Sequence, residues 1–77
     1  MKIKLLTFGQ IAELTGNCEQ IITEVDNTNA LRHKLSELFP AITTMQYSLA
    51  VNKKVVHENT ELFDGDIVAL LPPFSGG

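Results

Sequence analysis

Cysteine, histidine and tryptophan are scarce in this chain of 77 residues, which contains one Cys, two His and no Trp. Because Cys18 has no second cysteine to pair with, an intrachain disulfide and a multi-cysteine zinc site are both excluded. His33 and His57 have no second His or Cys at the spacing of metal ligands, so we interpret both as surface histidines. The sequence therefore predicts a chain without a metal site, in a reducing intracellular setting.

Positively charged residues and long hydrophobic runs are also scarce. The chain has six Lys and Arg residues and nine Asp and Glu residues, which give a formal net charge of −3. A duplex-binding module needs a dense basic face, so nucleic acid is not an expected partner. The longest aliphatic run, Ile67–Leu71, is far shorter than the roughly 20 residues that span a bilayer, and no secretion signal is recognisable. We therefore expect a cytoplasmic protein that binds neither nucleic acid nor membrane.

The length of the chain also restricts its function. It is about half of a typical ~150-residue domain, so we expect one domain, with no room for both a cofactor cradle and a catalytic cleft. The sequence contains no phosphate-binding loop, nucleophile elbow or dinucleotide fingerprint. A chain with its own cofactor and its own active site is therefore not expected.

The hydrophobic pattern predicts five strands and one main helix in the order ββαβββ, which is an α+β arrangement. The strands are predicted at residues 2–8, 19–25, 47–51, 55–56 and 67–71. A short helical turn is predicted at residues 10–14, and Asn52-Lys53 suits the tight turn between the third and fourth strands. These elements predict a mixed sheet packed on one helix.

The main helix is predicted between a cluster of N-cap residues, 26–29, and Pro40, which blocks its continuation. Its apolar residues recur at i, i+4, i+7 and i+8 and form one stripe: Leu31, Leu35, Leu38 and Phe39. We expect the three leucines of this stripe to pack beneath the sheet.

The first strand carries apolar residues on both of its faces, although one helix covers only one face of a sheet. Lys4 marks the solvent side of this strand, yet Leu6 and Phe8 share its parity. An apolar patch on the uncovered face indicates a partner protein. The alternative is that the short helical turn shields this strand.

The last residues of the chain are Pro72-Pro73-Phe74-Ser75-Gly76-Gly77, directly after the fifth predicted strand. Two prolines favour an extended exit from the sheet, and two glycines give an end with no Cβ and free φ. We expect a folded domain at residues 1–73 and a flexible tail at 74–77. Such a tail can enter a narrow channel and present the α-carboxylate of Gly77 to another protein.

Several motifs, taken together, resemble one known family. They are Ala50-Val51-Asn52, the turn Asp64-Gly65-Asp66, the apolar strand Ile67-Val68-Ala69-Leu70-Leu71, the Pro-Pro and Gly-Gly pairs, and the opening segment 4–16. On these motifs the chain resembles the small subunit of molybdopterin synthase, a sulfur carrier with the ubiquitin-like β-grasp fold. Phe74 stands where that family usually has a smaller aliphatic residue.

The resemblance implies that Gly77 carries sulfur. In the family, an activating enzyme uses ATP to adenylate the terminal glycine carboxylate, and sulfur then replaces AMP to leave a thiocarboxylate. The carrier donates this sulfur to cyclic pyranopterin monophosphate, which forms the dithiolene of molybdopterin. By resemblance, Gly77 is the reacting residue and Gly76 keeps the tail slim. The active site lies in the large subunit, and this chain binds no cofactor of its own.

The resemblance also implies two partners, which dock on the uncovered sheet face. One is the large subunit of molybdopterin synthase, in a heterotetramer of two small and two large subunits, and the other is the adenylating and sulfurating enzyme. We expect the docking patch at Phe8, Val55 and Leu71. Strand parity indicates Phe8, and alignment to the family indicates Val55 and Leu71. The tail residues implied to contact the partner are Pro72, Pro73, Phe74 and Ser75.

Other functions are compatible with the same sequence features. Thiamin-pathway sulfur carriers use the same Gly-Gly thiocarboxylate, although they are usually shorter and lack the Pro-Pro pair. A ubiquitin-like modifier would join Gly77 to lysines of target proteins. A plain interaction domain would use the apolar face without any acyl chemistry.

Overall fold

The computed structural model describes residues 2–72, which form five strands, two α-helices and one 3₁₀ helix. The strands are β1 (Lys2–Thr7), β2 (Glu19–Thr23), β3 (Ser48–Val51), β4 (Lys54–Val56) and β5 (Ile67–Leu71). The helices are α1 (Gly9–Thr15) and α2 (Thr28–Leu38), and the 3₁₀ helix spans Pro40–Thr44. The predicted order ββαβββ around one main helix is confirmed.

The five strands form one mixed sheet in the order β2-β1-β5-β3-β4. β1 and β5 run parallel, and the other three neighbouring pairs are antiparallel. β5 therefore occupies the centre of the sheet, and β2 and β4 are its edges.

The core lies between one face of this sheet and α2. Alternation along β1 buries Ile3 and Leu5, as the parity of this strand predicts, and Leu31 and Leu35 of α2 belong to the same buried cluster. The remaining buried strand residues of that cluster are Ile22 of β2, Leu49 of β3, and Val68 and Leu70 of β5. The opposite face of the sheet has no described helix packed on it within residues 2–72.

Helix α2 begins where the N-cap residues predict. The Asn27 side chain accepts a hydrogen bond from the Ala30 N–H at 2.8 Å, which satisfies one free donor of the first turn. The prediction for Leu38 is wrong, because this side chain is 51% exposed. The helix ends at Leu38, and the chain turns at Phe39 into the 3₁₀ helix, whose Ile42 is buried in the core. Ile42 and the partly buried Phe39 thus pack in or against the core, just after the exposed Leu38.

Two backbone conformations set the limits of strands. Glu24 has φ 63°, a left-handed conformation that ends β2 at Thr23, two residues before the predicted end. Asn52 and Lys53 have φ 49° and 74°, and Val51 pairs with Lys54 across them. Two consecutive positive φ angles are typical of the two-residue type I′ hairpin, so the predicted tight turn between β3 and β4 is confirmed.

Candidate functional site

A shallow apolar groove of about 480 Å³ lies on the sheet face opposite α2. Its lining residues come from β1, β5, β3 and β4 and their ends: Leu6, Phe8, Ala50, Asn52, Lys53, Val55, Ile67, Ala69 and Leu71. The strand register explains why they meet. Leu6 pairs with Ala69, Ala69 with Ala50, and Ala50 with Val55, so one row of side chains crosses four strands.

The shape of the groove follows from side-chain size along this row. Ala50 and Ala69 stand on the two middle strands, β3 and β5, where their methyl groups leave a low floor. Leu6 on β1 and Val55 on β4 are larger and form the two sides. A strip of small residues between larger apolar ones makes a surface into which an apolar side chain of another protein fits.

The three residues predicted to form the docking patch, Phe8, Val55 and Leu71, all line this groove. Phe8 follows β1 in extended backbone and is 47% exposed, and Val55 is 46% exposed. Leu71 is half-buried at the end of β5. The alternative that α1 shields this part of the sheet is wrong for Phe8, because nearly half of Phe8 is exposed.

Of the four tail residues predicted to contact a partner, the structure describes Pro72 alone. Pro72 follows β5 directly and is half-buried. The other predicted tail residues, and the predicted flexibility of the tail, lie outside the described residues: Pro73, Phe74, Ser75, Gly76 and Gly77.

Five lining residues were not predicted: Ala50, Asn52, Lys53, Ile67 and Ala69. A signal for two of them is present in the sequence, because the run 67–71 is apolar on both parities and Ile67 and Ala69 share the parity of Leu71. The other three join the groove through the pairing of β3 with β5 and β4. That register depends on tertiary packing and is not contained in a local pattern.

One end of the groove is held by side-chain hydrogen bonds between Asn52 and the start of β5. Asn52 Nδ2 donates to Asp66 Oδ1 at 3.0 Å, and the Phe63 N–H donates to Asp66 Oδ2 at 2.9 Å. The hydrogen bond from Asn52, and after it the one from Phe63, stabilise the ionised carboxylate. They therefore hold the pKa of Asp66 below its ordinary value. Asp66 is therefore a carboxylate at neutral pH.

Charge is sparse in the described lining of the groove, and one ion pair lies beside it. Among the lining residues within 2–72, only Lys53 carries a charge. Lys4 and Glu19 form an ion pair with 3.0 Å between Nζ and Oε1, and both are well exposed to solvent, beside Leu6 at the β1–β2 edge. The part of the lining that the structure describes thus offers apolar contact and contains no carboxylate, histidine or thiol for acid–base or nucleophilic chemistry.

The cysteine and the two histidines are not among the described lining residues of the groove. Cys18 is exposed, and His33 Nε2 is 3.7 Å from Glu37 Oε1 on the outer side of α2. Within residues 2–72 no three His, Cys, Asp or Glu side chains come close enough to hold a metal ion. In the same part of the chain, no helix has the length and apolar character needed to cross a bilayer.

Comparison with known proteins identifies the family. The model of the ThiS family matches residues 5–77. The chain belongs to the ThiS family. This member is 32% identical over 80 residues to the molybdopterin synthase sulfur carrier subunit of Escherichia coli (strain K12), in an alignment that covers 97% of this chain and 99% of that protein. The resemblance stated on the sequence motifs is confirmed.

Solved structures show the fold of this ThiS-family chain. A structure named for molybdopterin converting factor subunit 1, from Pyrococcus furiosus, superimposes with a TM-score of 0.89 at 23% identity, over 96% of this chain and 99% of that one. The complex of subunits 1 and 2 of molybdopterin-converting factor from Helicobacter pylori 26695 contains a chain that matches with a TM-score of 0.74 at 30% identity, over the whole of both chains. The predicted ubiquitin-like β-grasp fold is confirmed.

Proposed function

We propose that this chain is the sulfur carrier subunit of a molybdopterin synthase. In this proposal it carries sulfur as a thiocarboxylate on Gly77 and donates it to cyclic pyranopterin monophosphate. The observation that carries the proposal is the alignment with the sulfur carrier subunit of Escherichia coli over 97% of this chain and 99% of that protein. The apolar groove supports it, because a carrier needs a docking surface and leaves the acid–base groups to its partners.

The proposed chemistry begins at the α-carboxylate of Gly77. A carboxylate is a poor electrophile, so activation divides one difficult step into easier ones. A carboxylate oxygen attacks the α-phosphorus of ATP, and pyrophosphate leaves. Sulfur from a persulfide then attacks the acyl carbon, and AMP leaves. A thiol finally releases the thiocarboxylate by disulfide exchange. The chain contributes the acyl group, and its partners contribute the ATP site and the general acids and bases.

The proposed partners are the large subunit of the synthase, in a heterotetramer of two small and two large subunits, and the adenylating and sulfurating enzyme. The structure from Helicobacter pylori, a complex of subunit 1 with subunit 2, supports the first of these. Both partners bind the groove in turn, with Phe8, Val55 and Leu71 as contacts, in the cytoplasm. In this proposal the chain holds no cofactor of its own, and ATP is used by the activating enzyme.

Intact-protein mass spectrometry tests the proposal. After incubation with ATP, the activating enzyme and a sulfur source, we expect a new species about 16 Da heavier, as sulfur replaces one oxygen of Gly77. Oxidation of methionine adds nearly the same mass, so fragmentation must place the change on Gly77. The matched control is the chain without Gly77, which has the same methionines and Cys18. The proposal is wrong if the heavier species forms equally in that control.

A second step distinguishes the remaining alternatives. Addition of the large synthase subunit and the pyranopterin precursor should consume the thiocarboxylate and return the original mass. A thiamin-pathway carrier would keep its thiocarboxylate under these conditions. A modifier would instead give products in which Gly77 is joined to lysines of other proteins, which tryptic peptide analysis detects.

A further inference from the structure

The turn between β3 and β4 is attached to the beginning of β5 by the side chain of Asn52. β3 pairs with β5 as far as Val51 opposite Val68, and the chain then leaves this ladder because Asn52 adopts φ 49°. The Asn52 N–H nevertheless donates to the Ile67 carbonyl at 2.7 Å, and the Ile67 N–H donates to Asn52 Oδ1 at 3.0 Å. The side-chain oxygen thus takes the place of a strand carbonyl and extends the ladder by one position.

The amide nitrogen of the Asn52 side chain connects this turn to Asp66. Asn52 Nδ2 donates to Asp66 Oδ1 at 3.0 Å, while Asp66 Oδ2 accepts from the Phe63 N–H at 2.9 Å. The carbonyl of Asp66 accepts from the Lys4 N–H at 2.9 Å. Asp66 is therefore a junction that joins the β3–β4 turn to the start of β5 and to β1.

This junction affects the groove because of where β4 lies. β4 has three residues, is an edge of the sheet and pairs with β3. Val55, which forms one side of the groove, is the middle residue of β4, and Asn52, Lys53 and Ile67 line the end of the groove at the turn. The position of the turn relative to β5 therefore sets where Val55 stands relative to the central strand.

We propose that Asn52 and Asp66 are positioning residues that hold β4 in the place that a docking partner recognises. The inference rests on the proposed function for the identity of that partner, the large synthase subunit. A surface already held in its bound conformation binds more tightly, because less conformational freedom is lost on binding. Asp66 is not among the described lining residues, so its effect on binding acts through Asn52 and the turn.

Exchange of the amide and the carboxylate between the two positions tests the proposal. Asn52→Asp keeps an acceptor for the Ile67 N–H and a side chain that tolerates the left-handed conformation, but it removes the donor and sets two carboxylates face to face. Asp66→Asn leaves one acceptor oxygen for two donors, the Asn52 amide and the Phe63 N–H. In the double variant Asn52→Asp/Asp66→Asn, the amide at position 66 donates to the carboxylate at position 52 and its oxygen accepts from Phe63. All three hydrogen bonds return, and the net charge is that of the wild type.

The wild type, the two single variants and the double variant are compared by two measurements. These are the dissociation constant for the large subunit and the NMR shifts of the Val55 methyl groups in the free chain. We expect each single variant to bind about fivefold to tenfold more weakly, from the loss of one or two hydrogen bonds, and the double variant to bind within about twofold of the wild type. The Val55 shifts should move in the single variants and return in the double variant.

Other outcomes have a defined meaning. Single variants that are less stable but bind with wild-type affinity and keep wild-type Val55 shifts would show that the pair only stabilises the fold, which overturns the inference. A double variant whose Val55 shifts do not return and that binds no better than the single ones overturns it as well, whereas weak binding with restored shifts would show that the partner contacts Asn52 directly, which also contradicts the inference. If the wild-type chain does not bind the large subunit, the proposed function fails, and the Val55 shifts alone then decide whether the pair positions β4.

Discussion

Two exposed phenylalanines differ in whether they line the groove, although their exposure is similar. Phe8 is 47% exposed and lines the groove, whereas Phe63 is 59% exposed in the loop before β5 and lies outside the groove lining. Both contribute to the backbone hydrogen bonding of their segments through main-chain atoms. The Phe8 carbonyl accepts from the Ile11 N–H at 3.2 Å, and the Phe63 N–H donates to Asp66. Truncation of either side chain therefore leaves these hydrogen bonds available.

Phe8→Ala is expected to weaken binding to the large synthase subunit by about 2 kcal/mol, which is about thirtyfold in the dissociation constant. The reason is that an aromatic side chain in an apolar docking surface contributes more contact area than its neighbours. Phe63→Ala is the matched control and should bind with wild-type affinity. Isothermal titration calorimetry measures both; equal losses in the two variants would contradict the assignment of the groove as the docking surface.

At the scale of elements, α2 connects the core to the loop before β5. Its N-cap residue Asn27 forms an isolated bridge with Glu61, and the buried hydroxyl of Thr28 accepts from the Thr60 N–H at 2.9 Å. Its middle residues Leu31 and Leu35 lie in the core. The helix is therefore fixed at its beginning and middle, while Leu38 at its end stays exposed.

Leu35→Ala and Leu38→Ala form a matched pair on this helix. Leu35 is fully buried, so its truncation leaves a cavity and should lower the free energy of unfolding by about 2–5 kcal/mol. Leu38→Ala makes the same chemical change at an exposed site and should change that free energy by less than about 0.5 kcal/mol. Urea denaturation followed by circular dichroism measures both values. A large loss for Leu38→Ala would mean that Leu38 is packed in solution.

The elements also show how far the sequence alone predicts the fold and the site. β1, β5, α2 and the turn at Asn52 follow from local signals: alternation, an apolar stripe with an N-cap, and a two-residue turn. The 3₁₀ helix at Pro40–Thr44 and the early end of β2 at Glu24 were missed, because each depends on how the chain meets the core. Phe8 was predictable from parity within one strand, whereas Ala50 and Asn52 reach the groove through inter-strand register.

At the scale of the whole molecule, the protein consists of two layers, a helical layer and a sheet, with apolar side chains on both faces of that sheet. One face is covered by α2 and forms the core. The other presents the groove, whose described lining contains a single charged residue, Lys53, although the chain as a whole has a formal net charge of −3. A docked partner would act as a third layer on the sheet.

Because the groove is almost uncharged, binding to the large subunit should depend little on ionic strength. Salt weakens attraction between exposed charges but has a small effect on apolar contact. We expect the dissociation constant to change less than about threefold between roughly 50 mM and 500 mM NaCl. Surface plasmon resonance across this range measures it. A change of a hundredfold would show that charged residues outside the groove dominate docking.

The central place of β5 has a consequence for how the chain is made. β1 pairs with β2 and β3 pairs with β4, and the fifth strand along the chain, β5, joins these two hairpin-like pairs into one sheet. During synthesis on the ribosome, a chain that has not yet produced β5 therefore lacks the strand that carries Ile67, Ala69 and Leu71. Contacts between segments so distant in sequence form late and slowly in folding. Incomplete translation products would thus lack the strand at the centre of the groove.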